Sequence, residues 1–263
     1  MRVAVCVFGE IRGDAAAWRR LHANLVAPNE EADVFIHNVY YEPDFIERLP
    51  DATPVEKAFL HEYYDKKGVH CGPPPELLSI LRPVRYLLER RPSYPLDHYE
   101  GSIAPKFSKI TWQPGSGNNR LEYHAIMSQA ESRDRVLSLR REHERMTGVE
   151  YDVVILTRLD VNIVRPLQIS NHPRALMARA QGPERIYEQL VFGPPAHVDV
   201  IGDFFAAAPD LYAELCDDAH PLMMNEYFLP VFLRRRGVPI EHADVPLDFA
   251  AQSNGLYRSG GCV

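Results

Sequence analysis

Short apolar runs rich in β-branched residues alternate with helical patterns along the chain. Residues 3–8 form a continuous apolar run that ends at Gly9, which is typical of a strand buried on both faces. Residues 33–38 are predicted to form a second buried strand. A helical stretch from 14 to about 26 lies between the two strands, with Asp14 as its N-cap. The order strand, helix, strand predicts a parallel crossover unit.

A second unit of the same kind follows later. The pattern predicts a long helix over residues 121–146, capped by Asn118 or Asn119 and ended by Gly148 in a left-handed conformation. The β-branched strand after it begins at Val153 and acquires polar residues only at its far end. The sequence therefore predicts an α/β fold with a central, mostly parallel sheet flanked by helices.

The remaining segments complete one predicted domain over residues 1–263. Residues 41–119 hold many prolines and are interpreted as a possible inserted lobe, with a helix at 75–81 and a long loop over 92–119. Further predicted elements are a short strand at 190–193, helical segments at 198–208, 209–216 and 226–236, the last ending at Gly237, and a loose tail at 259–263.

Composition and charge narrow the possible functions. The chain has 263 residues, 46% hydrophobic and 25% charged, with a net charge of −7, so no overall basic field attracts nucleic acid or an anionic membrane. Its four cysteines lie far apart in the sequence, which argues against a zinc site or a disulfide framework and favours a cytoplasmic location. The apolar run at residues 3–8 is too short for a transmembrane segment.

The most informative spacing joins Arg158, Asp160 and Asn162. Side chains two apart in a strand share a face, so these three would project together from the C-terminal end of the strand that begins at Val153. Ligands of open α/β sheets bind beyond the carboxyl ends of the strands, and this combination suits a metal-bound diphosphate. The alternative interpretation is a structural ion pair between Arg158 and Asp160 at the strand end.

Several short motifs occur in a suggestive order. They are Gly9-Glu-Ile-Arg12 after the first strand, Asp-Val-Phe-Ile-His37, Ser128-Gln129 in the long helix, Arg158-Leu-Asp160, and Asn225-Glu226-Tyr-Phe-Leu before a late helix. In this order the chain resembles bacterial and viral polysaccharide glycosyltransferases of the GT-A type. The resemblance touches most of the chain, although each motif is short.

The resemblance implies a UDP-sugar or GDP-sugar donor, a glycan acceptor and a divalent cation, Mn²⁺ or Mg²⁺. The usual metal motif of that fold is Asp-x-Asp, whereas this chain has Arg158-Leu-Asp160-Val-Asn162, so one carboxylate is missing. The metal ligands expected from the resemblance are Asp160, Asn162 and His242. The donor-binding residues expected are Phe8, Gly9, Arg12, His37, Asn38, Ser128, Gln129, Arg158, Asp160 and Asn162.

Three carboxylates are candidates for the base that deprotonates the acceptor hydroxyl. They are Glu226, Asp244 and Glu188, each near the end of a predicted element, and Glu226 is the first choice. Each assignment has a structural alternative: Glu226 as an ordinary carboxylate at a helix N-terminus, His37 as a hydrogen-bonded structural residue, and Arg12 as a surface residue.

Two other function classes are alternatives, and the sequence disfavours the second. One is a catalytically inactive nucleotide-sugar or carbohydrate-binding module of the same fold. The other is a nucleotidyltransferase, which would require a glycine-rich basic loop after the first strand, and residues 9–13 are too few and too acidic for that loop.

Overall fold

A computed structural model describes residues 1–40, 44, 46–47, 54–67, 74–90, 92, 94–108, 119–182, 184–222 and 224–247. Within these ranges seven strands form one sheet, in the order β3-β2-β1-β4-β6-β5-β7. The strands are β1 Val3–Glu10, β2 Asp33–Tyr40, β3 Arg85–Arg90, β4 Val153–Arg158, β5 Leu176–Ala180, β6 Ile186–Gly193 and β7 Ile240–His242. The helices are α1 Ala15–Leu21, α2 Pro54–Lys67, α3 Pro75–Leu81, α4 Arg120–Thr147, α5 Pro195–Asp199, α6 Phe204–Leu215 and α7 Asn225–Arg235.

The sheet is mostly parallel, as predicted. β1 pairs in parallel with β2 and β4, and β2 pairs in parallel with β3. β6 alone is reversed among the described strands, because it is antiparallel to both β4 and β5, and β7 is again parallel to β5. The fold is therefore α/β, with helices packed against a mixed sheet.

β1 is an interior strand between β2 and β4, and its apolar run is explained by burial on both faces. Val3, Val5 and Val7 belong to one hydrophobic cluster with α1 and α3. Ala4, Cys6 and Phe8 belong to the other, with α4, α6 and α7. Successive side chains of a strand point to opposite faces, so a strand covered on both sides needs apolar residues at every position.

The caps of the first helix and of the long helix are where the sequence places them. Asp14 Oδ1 accepts a hydrogen bond from Ala17 N at 2.8 Å, and a π-helical turn at His22–Val26 continues α1. Asn119 Oδ1 accepts from Glu122 N at 2.9 Å at the start of α4, and Gly148 ends that helix with φ 71°. The predictions for both helices are confirmed.

Two boundary predictions are wrong. β4 ends at Arg158, so Asp160 lies in a turn and not in the strand. The region 198–216 does not break at Pro209, which lies inside α6; the break falls at residues 200–203 instead. Pro209 gives up one backbone hydrogen bond, but α6 continues because its apolar face, with Phe204 and Tyr212 fully buried, packs into the core.

The region 41–119 contributes directly to the sheet. α3 matches the predicted helix, and β3, which the sequence did not predict, extends the sheet beyond β2. The predicted loop over 92–119 contains a π-helical turn at Tyr99–Ile103 and a 3-10 turn at Ala104–Lys106. Residues 109–118 of this loop and the predicted tail at 259–263 lie outside the described residues, and the inserted lobe stays a prediction.

In the part of the chain that the structure describes, no helix combines the length and apolar character needed to cross a bilayer.

Candidate functional site

Ionisable side chains from five parts of the fold meet beyond the carboxyl ends of β1 and β4. β6 contributes because it is reversed, which brings its first half to the edge of the sheet where β4 ends; Leu190 pairs there with Thr157. We call this group the charged cluster. Its members are Glu10 at the end of β1, Arg12 just after it, Arg133 on α4, Arg158 and Asp160 at the end of β4, Glu188 on β6 and Glu226 in the first turn of α7.

Asp160 is held by two arginines. Arg158 donates to it through a fork, from Nε to Oδ1 at 2.9 Å and from Nη2 to Oδ2 at 2.6 Å. Arg12 Nη1 makes a longer contact with Oδ2 at 3.4 Å, and Arg12 Nε donates to Glu10 Oε2 at 2.8 Å. Burial disfavours the charged form of Asp160, but the charges of Arg158 and Arg12 outweigh it and lower the pKa of Asp160 to about 2. Asp160 is therefore a permanent anion.

Arg133 and Glu188 form a second ion pair of the charged cluster, and this pair is buried. Arg133 is fully buried, Glu188 is 4% exposed, and Arg133 Nη2 donates to Glu188 Oε2. The Arg133 guanidinium also lies 4.9 Å from the centre of the Phe8 ring, a cation–π contact. Its Nε and Nη1 atoms are buried and have no hydrogen-bond partner among the described residues. Such orphaned donors are costly unless an oxygen-rich group reaches them.

Glu226 differs from the other carboxylates of the cluster. Burial, followed by the negative charge of Glu188, raises the pKa of Glu226 to about 7. Arg158 and Arg133 oppose this shift, which places their charges near Glu226 as well. A carboxyl group with a pKa near 7 exchanges a proton readily at neutral pH, as a general base must.

The C-terminal end of β1 is tied to α4 and β2 through Gly9. Gly9 has φ 101°, a left-handed conformation that disfavours any side chain. Gly9 N donates to Ser132 Oγ at 2.8 Å, and Asn38 Nδ2 donates to Gly9 O at 2.8 Å. These bonds fix the backbone just before Arg12, and so help to position the Arg12 side chain for its contact with Asp160.

His37 acts as a structural residue in the same network. Its Nδ1 lies 2.7 Å from Ser132 Oγ and its Nε2 lies 2.7 Å from Glu89 Oε2. Ser132 is fully buried and its hydroxyl also donates to the His37 carbonyl at 3.0 Å. A serine in this setting fixes the backbone and is not exposed to attack a substrate, although Ser132, His37 and Glu89 are in hydrogen-bond contact. Burial lowers the pKa of His37, and the hydrogen bond to Glu89 partly offsets this effect.

Sequence reasoning missed Ser132 and Arg133, which make the contacts on α4. The predicted pair was Ser128 and Gln129, one helical turn earlier; Ser128 is buried and Gln129 is partly exposed. The signal that could have found Ser132 is its four-residue spacing from Ser128, because residues four apart share a helix face. Nothing local in the sequence distinguishes Arg133 from the other arginines of α4.

Other predicted residues lie apart from the cluster. His242 is exposed on β7, which is separated from β4 by β6 and β5, a lateral distance of about 14 Å for three strand spacings. Asp244 is exposed and bonded to Arg165. Asn162 is partly exposed, two residues beyond Asp160.

The predicted metal ligands do not fit a divalent ion in this arrangement. One ion cannot reach both Asp160 and His242, since its ligands lie within about 2.5 Å of it. Both oxygens of Asp160 already accept hydrogen bonds from arginine. Among the described residues, no group of three or more His, Cys, Asp or Glu side chains is arranged to hold a metal.

No family model matches this chain, and no curated protein sequence matches it.

Proposed function

We propose that this chain is a glycosyltransferase that moves a sugar from a UDP-sugar or GDP-sugar donor to a glycan acceptor. The observation that carries the proposal is the charged cluster, in which a carboxyl group with a pKa of about 7, Glu226, lies close to arginines at the carboxyl edge of the sheet. Open α/β sheets bind their ligands at this edge.

The chemistry of the cluster supports this reaction. Transfer requires a cation beside the departing diphosphate and a base for the acceptor hydroxyl. Arg12 and Arg158 provide positive charge, and both are mostly buried, with side chains 15% and 18% exposed. Glu226 accepts the acceptor proton as the hydroxyl oxygen bonds to the anomeric carbon and the bond from that carbon to the diphosphate breaks.

The fold is compatible with a GT-A architecture, which we propose as part of the same hypothesis. The mixed sheet with its reversed strand β6 brings Glu188 to the edge where β1 and β4 end. α7 then places Glu226 on the same side, within the electrostatic reach of Glu188. Residues from separated parts of the chain thus converge on one site.

The test is nucleotide release from a panel of UDP- and GDP-sugars by the full chain, with and without candidate glycan acceptors. Glu226→Gln should bind the donor as the native chain does. It should release nucleotide at least about 100-fold more slowly, because the base is lost. The matched control is Glu241→Gln, an exposed glutamate on β7, which should leave the rate unchanged. Equal rates for the native chain and Glu226→Gln would reject the assignment of the base.

One observation favours a second candidate, an inactive nucleotide-sugar-binding module. The second carboxylate of the Asp-x-Asp pattern is absent and the remaining one, Asp160, is engaged by Arg158. Donor binding without any nucleotide release, with every acceptor tried, would favour that candidate over the enzyme.

A further inference from the structure

We propose that the charged cluster binds the diphosphate of the donor directly through Arg12 and Arg158, with Asp160 orienting these arginines instead of coordinating a metal ion. The inference rests on the proposed function, because it concerns the same donor at the same site. It departs from the expectation of Mn²⁺ or Mg²⁺ that the sequence raised.

The first step is that three of the four carboxylates of the charged cluster already have an arginine partner. Asp160 accepts the fork of Arg158, Glu10 accepts Arg12 Nε at 2.8 Å, and Glu188 accepts Arg133. Glu226 has a pKa raised by burial and so resists the charged form that a metal requires. A divalent ion at Asp160 would therefore have to displace charge-assisted hydrogen bonds and lie against two guanidinium groups.

The second step is that Arg158 has more N–H groups than its fork to Asp160 uses, whereas Arg12 is also paired with Glu10 through Nε and Nη2. A guanidinium carries five N–H groups in a fixed fork, and Asp160 accepts two of those of Arg158. The contact from Arg12 Nη1 to Asp160 is 3.4 Å long, so a phosphate oxygen can take its place at small cost. Arginine matches phosphate with paired, parallel hydrogen bonds, which a point charge does not.

The third step is that Asp160 is suited to an orienting role. Its side chain is 12% exposed and accepts the fork of Arg158 at 2.9 and 2.6 Å, while Arg12 Nη1 lies 3.4 Å from its Oδ2. An anion fixed between two arginines holds both guanidinium planes before a ligand arrives, and preorganised donors lose less entropy on binding.

The experiment is calorimetric titration of UDP and GDP into the full chain, once in excess EDTA and once in millimolar Mn²⁺. The inference expects the better nucleotide to bind in EDTA with a Kd within about threefold of its value in Mn²⁺, well under the tenfold that 1.4 kcal/mol would give. Binding that appears only with Mn²⁺ overturns the inference while leaving the proposed function intact. Absence of binding in both conditions overturns the proposed function, and the inference with it.

Variants identify the groups responsible. Arg158→Gln should weaken nucleotide binding in EDTA by about 10- to 100-fold, since it removes charge-assisted hydrogen bonds to the phosphates. Arg235→Gln is the matched control, because Arg235 forms an equivalent fork with Glu214, at 2.7 Å for both bonds, away from the cluster. It should leave the Kd unchanged.

Asp160→Asn separates the two uses of Asp160. An orienting anion predicts that this variant still binds nucleotide in EDTA, within about tenfold of the native Kd, because the arginine charges remain. A metal ligand predicts that it loses an increase in affinity that Mn²⁺ confers on the native chain, and that result contradicts the inference. Circular dichroism and the thermal midpoint of each variant show whether it is folded.

Discussion

Replacing Glu226 by glutamine should stabilise the protein at alkaline pH while it slows the reaction. Burial and the charge of Glu188 raise the pKa of Glu226 from an ordinary 4.5 to about 7. The folded state therefore binds the Glu226 proton more tightly than the unfolded state, and stability falls as the pH rises from about 4.5 to about 7. Above that range the folded protein carries the full cost of a buried charge.

The size of the effect follows from the same shift. Each pH unit corresponds to about 1.4 kcal/mol, so the rise from 4.5 to about 7 amounts to about 3 kcal/mol of lost stability above neutral pH. Glutamine has a similar shape and no charge to bury. Glu226→Gln should therefore gain up to about 3 kcal/mol near pH 8.5 and almost nothing near pH 4.

Urea unfolding followed by circular dichroism measures this directly, at both pH values and for both chains. The control is Glu241→Gln, which removes an exposed carboxylate from β7 and should change the free energy of unfolding by no more than about 0.5 kcal/mol. A Glu226→Gln variant that is no more stable than the native chain near pH 8.5 would refute the claim that the fold disfavours the charged form of Glu226.

Two further predictions concern the scaffold beneath the cluster. Gly9→Ala should lower stability by about 1–2 kcal/mol, because Gly9 has φ 101° and an alanine there is strained. An added Cβ meets nothing within 4 Å at either Gly9 or Gly101, but Gly101 does not have a positive φ, so Gly101→Ala should not show this strain. Equal urea midpoints for the two variants would contradict the reasoning. Ser132→Ala should cost about 1–3 kcal/mol, since it leaves the buried Gly9 N–H without its acceptor, and unchanged stability in urea would show that this hydrogen bond is dispensable.

Elements with a strong local signal were predictable from the sequence. β1 has a continuous apolar run and β2 has a shorter one at Val34–Ile36, because both faces of the sheet are covered there. α4 has a capping asparagine at one end and a left-handed glycine at the other, and both act within four residues of the helix end. Such signals do not depend on the distant parts of the chain.

The outer strands were not predictable in the same way. β3 has the sequence Arg-Tyr-Leu-Leu-Glu-Arg and only partly buried apolar residues, a pattern that fits a helix as well as a strand. β7 is three residues long and mostly exposed. What fixes these strands is pairing with β2 and β5, which the local pattern does not encode.

In the site, too, contacts between residues close in sequence were predictable and contacts between distant residues were not. The spacing of Arg158 and Asp160 indicated that they meet, and they do so in a turn, as the ion pair that was the alternative interpretation. The contact of Ser132 with Gly9 joins residues 123 positions apart in the sequence, and no local motif predicts it. The raised pKa of Glu226 comes first from burial and then from the charge of Glu188, which the reversal of β6 brings to the same edge.

The most direct measurement of diphosphate binding by the charged cluster is a crystal structure of the full chain with bound UDP or GDP. We expect the diphosphate to lie at the carboxyl ends of β1 and β4, with its oxygens accepting hydrogen bonds from Arg12 and Arg158. A nucleotide bound elsewhere on the protein, with the fork between Arg158 and Asp160 closed off from it, would show that the charged cluster is not the donor site.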